Sequence, residues 1–180
     1  MQPLSRSCTS KPKYHIMTHE NLTRRDSALE DAIDHSSLNP TLQTVNVMSV
    51  SRSMNKTLMA VSLAKSYARA GYKTLLLEVN FRHSFFPTFF DLDANNGFSY
   101  WAIDDVLPVN TLEKNLDVLA SGSVDDNVSH YLVSRGFKQR IHALRSVYEK
   151  IVIDTPSLAE HLDALITVDY ACGSIIIHDA

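Results

Sequence analysis

Three short stretches carry groups that could handle a phosphate. Residues 51–57, SRSMNKT, end in Lys56-Thr57 where an apolar run gives way to a helical one. Residues 74–82 place Glu78, Asn80 and Arg82 after the run TLLL. Residues 150–156, KIVIDTP, put Asp154 behind three β-branched residues. A lysine at a helix start can reach phosphate oxygens, an adjacent threonine hydroxyl can hold magnesium, and acids nearby can complete the metal shell. A phosphate-binding loop of the form G-x-x-x-x-G-K-[ST] would have glycine at the positions of Val50 and Asn55. Asn55 is a tolerable substitute, because asparagine visits the left-handed region more easily than most residues. Val50 is a poor one, and Ser53 and Met54 add bulk where the backbone should approach the ligand closely.

These stretches need a scaffold that brings three strand ends together. TVNVMSV (44–50) reads as a buried strand, and TLMAVSLAKSYARA (57–70) has helical spacing closed by Gly71. YKTLLLEVN (72–80) is a near-continuous apolar strand of the kind covered on both faces of a parallel sheet. Strand, helix, strand then recurs: 115–121, a helical stretch over 128–149, 150–156, a helix or turn over 159–169, and a last strand over 173–178. This alternation predicts an α/β fold, a three-layer sandwich around a mainly parallel sheet. Ligands of such sheets sit at the carboxyl ends of the strands, where Lys56, Glu78 and Asp154 fall. FFPTFF (85–90) fits the rhythm least, and reads as a hydrophobic plug or a partner-facing patch.

Residues 1–43 read as a mobile arm with a short helix from the capping box at Ser27 to about His35. Residues 44–180 read as the folded domain. The chain of 180 residues is long enough for one domain with a sizeable core. A net charge of −3 gives no electrostatic case for nucleic acid. No apolar run approaches the roughly 20 residues of a membrane span. Cys8 and Cys172 suggest neither a disulfide framework nor paired metal ligands, so a cytoplasmic protein is expected. The histidines show no converging metal-ligand spacing.

LLLEVNFR, NLDVLASG and VYEKIVIDTPSLAEHLDA follow one another in an order and spacing that resembles a known family. That family is the cytoplasmic domain of the bacterial tyrosine autokinases of capsule and exopolysaccharide assembly, within the MinD/ParA-like P-loop group. The resemblance implies a P-loop NTPase-like fold over 44–180, incomplete relative to the family. It implies ATP or ADP bound by Ser53, Met54, Asn55, Lys56, Thr57 and Arg82. Magnesium would be held by Thr57, Glu78 and Asp154, and catalysis, were the site active, carried by Lys56, Glu78 and Asp154. The departures imply weak nucleotide and magnesium binding, or none. The loop lacks its glycines, Asn80 stands where an acid is usual, and Glu78 is a methylene longer than the family's aspartate. The Pro and Glu of the family's Asn-Pro-x-Glu-Leu stretch are missing from residues 127–132, and no terminal tyrosine cluster follows.

The expectation is therefore a pseudo-enzyme that serves polysaccharide synthesis or export through protein contacts. Its partner would be a membrane chain-length or export component, or a kinase paralogue, with self-association expected from an uncovered sheet edge. It would reach the inner face of the membrane only through such a partner. An active ATP-dependent tyrosine kinase or ATPase is the alternative, and a ParA/MinD-like positioning factor the weaker one.

Overall fold

The computed structural model describes residues 42–52, 54–103, 105–124 and 127–178, with the backbone of 13–18. Among these residues seven strands form one sheet: β1 Lys13–Thr18, β2 Thr44–Ser49, β3 Thr74–Glu78, β4 Asn110–Glu113, β5 Leu116–Leu119, β6 Lys150–Asp154 and β7 Gly173–His178. Their order is β1-β7-β2-β6-β3-β5-β4, parallel throughout except for the β4–β5 pair. The helices are α1 Met54–Arg69, α2 Phe86–Phe90, α3 Val128–Val133, α4 Arg135–Val147 and α5 Asp163–Thr167, the last running into a 3-10 turn, Val168–Tyr170.

The continuous apolar runs are explained by burial on both faces. Leu76, Val118, Val152, Ile175 and Ile177 face Met59, Leu63 and Ala64 of α1. Leu75, Leu77, Leu119, Ile151 and Ile153 face Leu132, Phe137, Ile141 and Leu144 of α3 and α4. Each such side chain contributes about 1.5–3 kcal/mol by leaving water, which fixes β3 and β6 side by side. That pairing sets Glu78 directly against Asp154 in register.

Several features add to the sequence expectation or differ from it. The helical stretch over 128–149 is two helices, because Ser134 takes an extended conformation and its hydroxyl caps Phe137 N–H. FFPTFF folds into α2, with Phe86 fully buried and Phe89 exposed. Lys13–Thr18, expected in the arm, pairs with β7 along its whole length. The Tyr14–Thr18 run is β-compatible, and the outer ladder of β7 offers it unpaired backbone groups. The edge expected beside β7 is therefore filled, and β1 is the outer strand of the described sheet on that side. The rest of the arm, including the helix from Ser27, lies outside the described residues. Cys172 is disulfide-bonded, where the sequence suggested no disulfide framework.

Candidate functional site

The first turn of α1 carries Lys56 and Thr57 against the carboxyl end of β6. All three groups are buried: Lys56 is 7%, Thr57 6% and Asp154 3% exposed. Lys56 Nζ donates to Asp154 Oδ1, and Thr57 Oγ1 donates to Oδ2 at 2.8 Å. Both carboxylate oxygens of Asp154 are thus engaged by α1. The convergence of Lys56, Thr57 and Asp154, expected from strand-end placement, is what the sheet register produces.

The segment before α1 is stitched rather than curled. Val50 N–H donates to Ile177 O at 3.0 Å, Leu158 N–H to Ser49 O at 2.9 Å, and Ala159 N–H to Val50 O at 3.0 Å. Arg52 pairs with Glu160 at 3.1 Å, and Ser157 donates to the same carboxylate and, more than the arginine, holds it below its ordinary range. A phosphate cradle depends on backbone N–H groups turned inward and left open for the ligand. The amide of Val50, at the first glycine position, is already spent on β7. Ser53 lies outside the described residues, as do the side chains of Met54 and Asn55.

Glu78 is 1% exposed and serves as a clamp. Its Oε1 accepts from the backbone N–H of Phe85 and Phe86, and its Oε2 from Ser84 Oγ, Ser121 N–H and Ser121 Oγ. Burial pushes its carboxyl above the ordinary range, outweighing these hydrogen bonds, which pull it down. The carboxylate ties the start of α2 and the end of β5 to β3. Behind Ser121 the backbone is close-packed: a Cβ on Gly97 would stand 2.4 Å from Gly122 N, and Gly122 has φ +72°.

Arg82 is placed against a protein carboxylate, and not against Glu78 or Asp154. Its Nε donates to Asp163 Oδ2 at 3.1 Å. Asp163 is 5% exposed and also accepts from Ser129 Oγ, so β3, α3 and α5 meet at this carboxylate. Asn80 Oδ1 accepts from His83 N–H at 3.3 Å. Sequence reasoning missed Ser84, Ser121 and Ser129; single serines have no spacing signal that marks them as partners of a distant acid.

Magnesium takes hydroxyl and carboxylate oxygens, and usually shares charge between acids and phosphates. Thr57 and Asp154 are donors of that type. Asp154, however, is committed to Lys56 and Thr57, Glu78 to five protein donors, and Asn80 is neutral. Among the described residues no cluster of three or more His, Cys, Asp or Glu could hold a metal ion. As arranged, the donor set does not fit a resident magnesium ion.

A parallel sheet with a lysine-threonine helix start and an acid at the neighbouring strand end defines the class: a P-loop NTPase-like α/β domain. No model of a known protein family matches the chain. Tyrosine-protein kinase CpsD of Streptococcus pneumoniae is 32% identical over 147 residues, which cover 76% of this chain and 62% of that protein. Tyrosine-protein kinase YwqD of Bacillus subtilis is 27% identical over 150 residues, covering 81% and 63%. The chain thus spans a little over three-fifths of the length of these relatives. Among solved structures, the VpsO kinase domain superposes with a TM-score of 0.72 at 26% identity over 83% of this chain and 74% of that one. The chimerical protein CapA2B2 gives 0.71 at 26% identity over 84% and 67%. A plasmid partition protein of Borrelia burgdorferi, at 17% identity and a TM-score of 0.54 over 74% of this chain and 64% of that one, shares the fold. The homologues are bacterial tyrosine-protein kinases, and the chain matches the capsule-type autokinase domain that its motifs resemble.

Proposed function

We propose that this chain is a degenerate tyrosine-autokinase-like protein that serves capsule or exopolysaccharide synthesis or export through protein–protein contacts. The observation that carries this reading is the fate of the phosphate machinery. Asp154 holds Lys56 and Thr57 in a buried internal contact, and Val50 N–H is bonded to β7. Phosphoryl transfer is mainly positioning and charge neutralisation, so it suffers when the cradle and the second acid are altered and the remaining metal-side groups are committed to one another. The natural partner is the membrane chain-length or export component of the polysaccharide system, or an active kinase paralogue. The chain would then sit at the inner face of the membrane by contact; among the described residues no helix is long and apolar enough to cross it. The test is genetic. Cells carrying the double variant Lys56→Met with Asp154→Leu, which removes the phosphate-facing lysine without stranding a buried charge, should make polysaccharide as wild type does, whereas deletion should abolish or shorten it. A double-variant strain that behaves like the deletion while its protein accumulates to the wild-type level would overturn the reading.

The alternative, an ATP-dependent tyrosine kinase or ATPase, has one specific observation in its favour. Lys56, Thr57 and Asp154 are all retained and converge. A partner that prised Lys56 from Asp154 would free it for phosphate. One plasmid partition protein that shares the fold, at 19% identity, is bound to AMPPNP.

A further inference from the structure

The outward face of α4 lies away from the Lys56 site and has no part in it. The helix RGFKQRIHALRSV carries four Arg or Lys residues and one histidine but no acid, in a chain whose net charge is −3. Two of its arginines are used by the fold. Arg140 Nε donates to Trp101 O at 2.7 Å, and Arg145 donates to Tyr170 O and to Thr44 Oγ1. The other three basic groups, Arg135, Lys138 and His142, follow at spacings of three and four and form one stripe. All three are exposed, and none of their side chains has an ion-pair or hydrogen-bond partner among the described residues. Arg135 and Lys138 stand in the first turns, where the positive end of the helix dipole disfavours cations. Helix stability therefore does not account for them.

Beside the stripe lies a cleft of about 560 Å³, walled by Ile103 on one side and by Arg135, Lys138, Gln139, His142 and Ala143 on the other. Ile103 is 42% exposed and Val106, further along the same loop, 92%. Cations along one wall and an apolar residue on the other suit an extended or helical segment that alternates carboxylates with apolar side chains.

We propose that this cleft docks an acidic, apolar-interleaved polypeptide segment of a partner protein. The proposal rests on the interaction-protein reading above and names the chemistry of its partner. It does not depend on whether the Lys56 site binds nucleotide.

The test is a titration of the 15N-labelled full chain with a soluble (Glu-Glu-Leu)-repeat peptide. A (Lys-Lys-Leu)-repeat peptide, phosphatidylserine vesicles and oligothymidylate serve as comparisons. Shifts should centre on the amides of Ile103, Arg135, Lys138, Gln139 and His142, and fade with added salt. Reversing two rim charges, Arg135→Glu with Lys138→Glu, should weaken binding by about tenfold or more, at up to roughly fivefold per lost pair and more for the added repulsion. Lys65→Glu, on α1 across the sheet, should change it by less than about twofold. A dispersed amide spectrum confirms that each variant folds. No α4 shifts at millimolar peptide, equal loss in Lys65→Glu, or stronger engagement of vesicles or oligothymidylate would each overturn the proposal. Peptide binding with an active Lys56 site would leave the docking face standing and remove only the pseudo-enzyme reading.

Discussion

Lys56→Ala is the perturbation whose cost follows most directly from the geometry. In the folded chain Asp154 is 3% exposed and its two oxygens are taken by Lys56 and Thr57. Removing the ammonium leaves a buried carboxylate with one hydroxyl donor. Breaking a buried pair from one side costs about 3–5 kcal/mol, because the remaining charge is uncompensated. Here Thr57 still donates, so the lower end, about 3 kcal/mol, is expected. For a domain of this size that lowers Tm by roughly 6–12 °C. Asp154→Leu alone should cost a comparable amount by stranding the ammonium. The double variant Lys56→Met with Asp154→Leu should recover most of the loss, since an apolar replacement of a buried pair is often neutral or better. Urea unfolding with unchanged m-values would measure all four chains. Single variants within about 1 kcal/mol of wild type, or losses that simply add in the double variant, would refute the buried-pair account.

Other consequences follow from the same contacts. Burial raises the Glu78 carboxyl above its unfolded range, so the folded state binds this proton more readily than the unfolded chain does. Its stabilising contribution is therefore full below the unfolded value and lost as pH rises through the raised one. The stability of wild type relative to Glu78→Gln should accordingly grow as pH falls through that window; a difference flat across the titration would count against it. Gly97→Ala would drive a methyl into the Gly122 backbone and should cost about 1–3 kcal/mol in chemical unfolding, with loosened amides at Ser121. Asp163→Ala removes the shared acceptor of Arg82 and Ser129. It should destabilise by about 1–3 kcal/mol and broaden the Arg82 Nε–H signal in NMR spectra, whereas Ser129→Ala should cost less.

The parallel sheet was readable because β3 and β6 are buried on both faces, and runs such as LLLE and KIVID have few other uses. The meeting of Lys56, Thr57 and Asp154 was readable for a related reason. A helix that starts beside one strand end brings its first turn onto the next. Partner choice was not readable. Arg82 could reach several acids, and which one it meets depends on how α5 packs against α3, a matter of tertiary placement. Glu78 carries the same residue type whether it holds a metal or a loop; only the five converging donors distinguish the two. β1 escaped notice because Lys13–Thr18 is too short and mixed to announce itself without the edge it completes.

The central claim is that the Lys56 site no longer functions as a nucleotide site. Calorimetric titration of ATP and ADP, with magnesium, into the purified chain and its Lys56→Ala variant tests it most directly. The account predicts no saturable binding up to millimolar nucleotide in either chain. Micromolar binding in wild type that disappears in Lys56→Ala would contradict it, and would mean that nucleotide displaces Asp154 and the glycine-free loop still cradles phosphate.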